Sequence, residues 1–400
     1  MDFNDTPQEA AFRAEVRAWL EVNAAEYRKP LPANLTAQEY SQLGRAWQKK
    51  KAAVGYGSIM WSKEHGGLDG TPIQEVIFLE EEAKYHVPVG PFVGIGVNLA
   101  VPTIRAHGTP EQIEKFARPT LLGEICWCQM FSEPAAGSDL AGLRTRAIKD
   151  GDDWIVNGQK VWTSWAHTAD WAILIARTDP EVAKHKGLTF FVVDMKTPGI
   201  EVRPIRQISG ESEFNEVFLT DVRIPDANRL GKVGDGWKCA MTTLMNERSS
   251  SGAEKWYPDA HTLVDLLKQD LPGASAYRTE IAQLYAREQG LKYFKCRQLT
   301  SLGKGQTPGP IAAMGKLVYA NNLQDGSAIG LDLLATATSA EDKELRKNFE
   351  EGYVWASAMR IAGGADEILR NQISERVLGM PGDIRVDKDV PFSKIPIGGK

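Results

Sequence analysis

The 400-residue chain has only four cysteines, Cys126, Cys128, Cys239 and Cys296, too few for a disulfide framework. A single residue separates Cys126 from Cys128, without the paired spacing of a zinc site, so no metal is expected. Histidine is scarce, with six in the chain. His65 and His107 have no serine or cysteine partner at a recognisable spacing, which argues against a hydrolase. No apolar run approaches the roughly 18 residues of a membrane helix. Positive charge is not in excess: the net charge is −5, which gives no electrostatic case for binding nucleic acid. The opening MDFNDTPQEA is acidic and polar, unlike a signal peptide. No internal repeat or low-complexity segment stands out. What is present is ordinary for a globular chain, 42% hydrophobic and 25% charged, which excludes wholesale disorder. The expectation is a cytoplasmic protein of two or three domains with reduced thiols.

Three regions follow one another, giving an α+β fold class. Residues 1–124 are expected to form a helical domain. Thr6-Pro7-Gln8-Glu9, Thr36 to Glu39 and Thr109-Pro110-Glu111-Gln112 are capping boxes. Apolar residues follow at helical spacing: Phe12, Val16, Trp19 and Leu20 after the first, Tyr40, Leu43 and Trp47 after the second. Residues 125–232 change to short β-branched and aromatic runs, Trp154 to Val156, Trp171 to Ala176, Leu188 to Val193 and Glu216 to Val222. Asp150-Gly151-Asp152, Asn157-Gly158 and Pro198-Gly199 read as the turns between them. This block predicts a small β-barrel or sandwich. Residues 233–400 return to helical periodicity, with Ile281, Leu284, Leu291 and Phe294 as a core-facing stripe. Further helical stretches, 314–334 and 343–379, predict an antiparallel four-helix bundle.

Three segments carry chemistry. Gln129 to Asp139 reads QMFSEPAAGSD, Val156 to Ser164 reads VNGQKVWTS, and Ile361 to Arg376 reads IAGGADEILRNQISER. The small residues Pro134 to Gly137 leave backbone N–H groups open to a ligand, or form a plain turn with Ser138-Asp139 as a cap. Trp162 offers a flat wall and Ser164 a hydroxyl, or Trp162 closes the core at a strand end. In this order, inside an α–β–α chain, the three segments resemble the acyl-CoA dehydrogenase family of flavoproteins. His107 to Pro110, Leu121 to Glu124 and Gly231 to Trp237 resemble that family's domain junctions.

The resemblance implies FAD as cofactor. It implies Gln129, Met130, Ser132, Trp162, Thr163 and Ser164 along the ring, Glu367 as a further FAD contact, and Ser138 near the thioester. Desaturating an acyl-CoA needs a carboxylate to take the α-proton and donors for the enolate oxygen. The family holds that base in one of two places, a Tyr-Glu-Gly-Thr turn near the C-terminus or the first bundle helix just before an arginine. Gly363 occupies the first, and Glu247-Arg248 matches the second. Glu247 is therefore the expected base, with Arg248 beside the substrate and the N–H groups of Gly363 and Gly364 as oxyanion donors. Asp366, Glu367 and Glu375 are the competing acids.

Two departures concern assembly. Homotetrameric members carry Arg-x-x-Phe-Gly and Gln-x-x-Gly-Gly segments that reach a neighbour's FAD. The corresponding stretches here, Asp270 to Arg278 and Leu331 to Thr338, match neither. This resembles the subgroup whose paired, unlike subunits act on CoA thioesters of bulky ring compounds such as sterol fragments. The implied partners are an acyl-CoA, electron-transfer flavoprotein and an unlike homologous subunit. A homo-oligomer in which Arg278, Lys316 or Gln324 replaces the lost contacts is the alternative. Other readings of the same fold are a non-catalytic partner subunit and a flavin monooxygenase.

Overall fold

The computed structural model describes residues 5–29, 31–32, 35–89, 92–249, 257–269, 271, 273–304, 306, 309–335 and 339–395; side chains of 247–249, 299 and 302–303 are outside the description. The chain forms two compact units. One comprises Met1–Arg206, Glu211–Ser250 and Ile384–Lys400; the other comprises Gln207–Gly210 and Ser251–Asp383.

The first unit opens with helices α1 (Pro7–Asn23), α2 (Ala37–Ala52) and α3 (Pro72–Glu82). Thr6 with Glu9 and Thr36 with Glu39 close as reciprocal capping boxes, which satisfies the first free N–H groups of each helix. A third box, Thr71 with Gln74, starts α3. Val16, Leu20, Trp47, Tyr56 and Phe78 meet in one apolar cluster. A π-helical stretch, Phe92–Ala100, runs into α4 (Val101–His107). The box Thr109 with Gln112 starts α5 (Pro110–Gln112), which continues through π-helical Ile113–Ala117 into α6 (Arg118–Leu121).

The middle region is one sheet. Its strands are β1 (Trp127–Met130), β2 (Arg146–Asp150), β3 (Asp153–Ser164), β4 (Trp171–Arg177), β5 (Leu188–Asp194), β6 (Ile200–Pro204), β7 (Phe214–Pro225) and β8 (Arg229–Leu230), in the order β6-β7-β3-β2-β4-β5-β8 with β1 parallel to β4. Alternation sorts β4 and β5 onto two cores. Ile173, Ile175, Leu188, Phe190 and Val192 face a cluster that includes Ile104 and Phe116 of the helices. Ala172, Leu174, Phe191 and Val193 face Trp154, Val156 and Val217 of β3 and β7. Trp154 and Phe191 lie on strands three places apart, yet their rings meet at 5.5 Å. Strands in a flat sheet would separate them by about 14 Å, so the sheet curls back on itself around this inner core, the barrel-like form expected from the sequence.

Asn157-Gly158 is not a turn. Both residues lie inside β3, at a register shift against β7. Asn157 exchanges two hydrogen bonds with Asp221, 2.9 and 3.0 Å, and a Cβ at Gly158 would collide with the Thr145 side chain. Cross-strand pairing overrides the local turn preference. Gly158→Ala is expected to destabilise the protein by about 1–3 kcal/mol, read as a lower denaturant midpoint; an unchanged midpoint would contradict the close approach.

Helix α7 (Gly236–Ser249) packs within this first unit. Its Thr243 hydroxyl meets that of Thr103 at 2.8 Å, and Thr242 meets His107 Nε2 at 2.7 Å.

The second unit holds α8 (Ala260–Lys268), α9 (Arg278–Gly303), α10 (Ala313–Leu333), α11 (Ala340–Met359) and α12 (Asp366–Arg376). Ile281, Leu284 and Phe294 of the expected stripe are buried. Gly363 and Gly364, at φ +65° and +101°, break the stretch read as one helix over 343–379 into α11 and α12. Among the described residues no helix is long and apolar enough to cross a membrane.

Candidate functional site

The first two motifs come together at the ends of β1 and β3. The Val161 N–H donates to Ser132 C=O at 3.0 Å, which lays 129–132 beside 161–164. A buried ion pair sets this junction. Lys160, 0% exposed, donates to Glu133 Oε1 at 2.9 Å and to the carbonyls of Phe131 and Ile175 at 3.0 and 2.9 Å. Glu133 also accepts the N–H groups of Arg144 and Thr145, at 2.6 and 2.9 Å. Burial works to raise the Glu133 pKa, but Lys160 and the N–H donors together hold it below the usual carboxylate range. Burial pulls Lys160 down, against the opposing pull of Glu133. Neither residue stands out in the sequence, because their pairing joins positions 27 residues apart.

Trp162 follows directly. Between Lys160 and Thr163 the register against β7 shifts by one residue, and Trp162 sits in that bulge at φ +58°. A bulky residue in the left-handed region costs about 1–3 kcal/mol. The bulge turns the indole outward, 59% exposed, with Phe214 edge-on at 6.0 Å. A core-closing role for Trp162 is thereby excluded. Thr163 faces inward, and its buried hydroxyl has no hydrogen-bond partner. Ser164, Gln129 and Ser132 are half-buried. Met130 is fully buried in the inner core.

Beyond Glu133 the chain makes a tight turn, with Glu133 and Ala136 exchanging backbone hydrogen bonds at 3.0 Å. Pro134, Ala135, Gly137 and Ser138 are exposed. The Asp139 side chain does not cap the short helix that follows it; it takes the Lys184 ammonium at 2.9 Å instead. Glu247 and Arg248 lie in the last turn of α7, and their side chains are outside the described set.

In the second unit, the Arg360–Ala365 turn is clamped from below. Asp366 is buried and accepts from Arg360 Nε at 2.8 Å; Lys316 donates to Gly364 C=O at 2.9 Å. Gln324 accepts from Arg360 at 2.8 Å. Lys316 and Gln324 are thus engaged inside their own unit. Arg278 is exposed, and so is Glu367 in the first turn of α12.

Three thiols are buried, and burial raises Cys126 to about 11 and Cys239 to about 12. No cluster of metal-ligating side chains occurs among the described residues. A depression of about 400 Å³ lined by Lys115, Trp171, Arg223 and Asn228 shares no residue with these motifs.

Three family models match the chain: the acyl-CoA dehydrogenase N-terminal domain over residues 6–124, its middle domain over 128–222 and its C-terminal domain over 234–378. Acyl-CoA dehydrogenase FadE34 of Mycobacterium tuberculosis is 39% identical over 376 residues, 93% of this chain. The chain spans only about half, 52%, of that relative. Acyl-CoA dehydrogenase IpdE1 of Mycolicibacterium smegmatis is 36% identical over 94% of this chain and 98% of its own. Among solved structures, the Tcur3481-Tcur3483 steroid ACAD superposes with a TM-score of 0.78 at 26% identity, covering 96% of this chain and 100% of that one.

Proposed function

We propose, from the premise that this chain belongs to the acyl-CoA dehydrogenase family, that it desaturates the acyl group of a bulky ring-bearing CoA thioester between the α and β carbons. The family consists of FAD-dependent oxidoreductases acting on CH–CH bonds of acyl-CoA. The single observation that carries the reading onto this chain is the Trp162 bulge. An exposed indole costs apolar hydration and its backbone costs strain; both costs make sense where a flat ligand covers the ring. The uncovered indole face is the requirement that an isoalloxazine ring fits.

Gln129, Ser132, Trp162 and Ser164 would hold the ring, with the buried Met130 and Thr163 supporting them from within the core. FAD, when bound, supplies the acceptor for the β-hydride. The chain's own residues do the rest. Glu247 takes the α-proton. Arg248 lies alongside the substrate. Ser138, exposed on its tight turn, contacts the thioester. Gly363 and Gly364 offer N–H groups to the oxygen where enolate charge develops, which lowers the barrier to proton removal. Glu367 is a further FAD contact. Electron-transfer flavoprotein is the proposed oxidant.

The steroid name belongs to the Tcur3481-Tcur3483 structure; together with the missing arginine and glycine segments it supports a ring-bearing substrate here and pairing with an unlike homologous subunit. The test is cofactor retention. The purified protein, alone or with its paired homologue, is expected to show a flavin spectrum. Trp162→Ala, which removes the wall, should weaken FAD affinity about tenfold without lowering the thermal midpoint. Unchanged affinity would mean that the flavin lies elsewhere.

A further inference from the structure

The last described residues of the chain return to the first unit and close on the connection between β4 and β5. Ala183 and Pro391 form an antiparallel bridge. The N–H groups of Phe392 and Ser393 donate to Val182 and Pro180 carbonyls at 2.9 and 2.8 Å, and the Ser393 hydroxyl reaches Glu181 at 3.1 Å. The Phe392 ring lies under the Arg177 guanidinium at 3.4 Å, with that of Arg144 at 5.3 Å. Arg177 itself is buried and gathers the carbonyls of Ala141, Leu143 and Lys184. Three segments far apart in sequence, 139–145, 177–187 and 387–395, are thus locked together.

At the centre is the Lys184 ammonium, on a buried side chain. It takes both oxygens of Asp139 at 2.9 Å and Asp387 at 2.6 Å. Residues 384 and 386 before Asp387 are exposed. Within the turn that carries Ser138, Ala136 is buried in the core, as is Leu140 just after Asp139. The base of the turn is fixed by Glu133, but a Cβ at Gly137 would meet no atom within 4 Å, and residues 134, 135, 137 and 138 are exposed. The Asp139 carboxylate is the tether on its far side.

We propose that the strap is a positioning device for the substrate: Asp387 orients Lys184, Lys184 holds Asp139, and Asp139 sets where Ser138 stands. Asp387 is a positioning residue, not a catalytic one. An isolated surface pair would contribute little. Here the ammonium is withdrawn from water and Asp387 fixes the direction in which it points, so removing Asp387 frees the ammonium to leave Asp139, whose own side chain is 61% exposed. The substrate part of this inference rests on the placement of Ser138 at the thioester proposed above.

The test compares the flavin-loaded full chain with Asp387→Asn and Asp387→Glu, using amide hydrogen exchange and the binding of coenzyme A itself. Asp387→Asn is expected to speed exchange over residues 134–143 about fivefold and to weaken coenzyme A binding about threefold to fivefold. Exchange in β3 and the thermal midpoint should stay as in the parent, and Asp387→Glu should restore both properties. Unchanged exchange over 134–143, or a uniform rise across the unit, would overturn the strap's role. Faster loop exchange with unaltered coenzyme A binding would uphold the strap and overturn the placement of Ser138.

Discussion

Replacing Glu247 with glutamine is expected to slow flavin reduction by an acyl-CoA by about 10² or more, the usual scale for loss of a general base. Glutamine keeps the size and the hydrogen-bonding reach of glutamate but cannot accept a proton. FAD content should stay at the parent level, because no ring contact is assigned to this residue. The assignment rests on the family resemblance, which puts Gly363 where many members carry their base; glycine is well suited to that position's φ of +65°. Rapid-mixing reduction measurements on parent and variant check it. Parent-like rates in the variant would move the base elsewhere, with Glu367 the next acid to test.

Lys160→Met should be the most destabilising substitution at the junction of the two motifs. It leaves the Glu133 carboxylate buried without its counter-charge and strips a donor from the carbonyls of Phe131 and Ile175. Breaking one side of a buried pair costs about 3–5 kcal/mol. The sign of the pH dependence follows from Glu133, whose folded pKa is held down. A depressed carboxylate contributes stability above its unfolded pKa, and that contribution fades as pH falls through the folded value. The gap between parent and variant should therefore narrow as pH falls through the carboxylate range. Denaturant unfolding at several pH values checks both points, and Glu133→Gln in the same chain should recover part of the loss. A variant as stable as the parent at neutral pH would show that the pair contributes nothing.

What the sequence reveals and what it hides divide along one line, the distance over which a residue's partner lies. Capping boxes are local, so Thr6, Thr36 and Thr109 mark their helices correctly. The long apolar strands β4 and β5 are equally plain. Strands β2 and β6, RAIKD and IEVRP, are short and charged, and only their neighbours in the sheet make them strands. Asn157-Gly158 looks like a turn until Asp221, 64 residues on, claims Asn157. The same holds at the candidate site. Trp162 and the residues around it are legible through the family resemblance, but the bulge that turns the indole outward is a property of its register against β7. Glu133 with Lys160, and Asp387 with Lys184, are pairings that no periodicity announces.

The central claim, that this chain oxidises an acyl-CoA at a flavin seated by the Trp162 bulge, is tested most directly by anaerobic titration. The flavin-loaded protein is mixed with a panel of acyl-CoA thioesters, ring-bearing ones included, and the long-wavelength flavin band is followed. The account predicts that at least one thioester bleaches the band in the parent protein without consuming oxygen, and that Glu247→Gln bleaches at least about a hundredfold more slowly. A flavin that stays oxidised with every thioester, or one whose turnover requires oxygen, would contradict it.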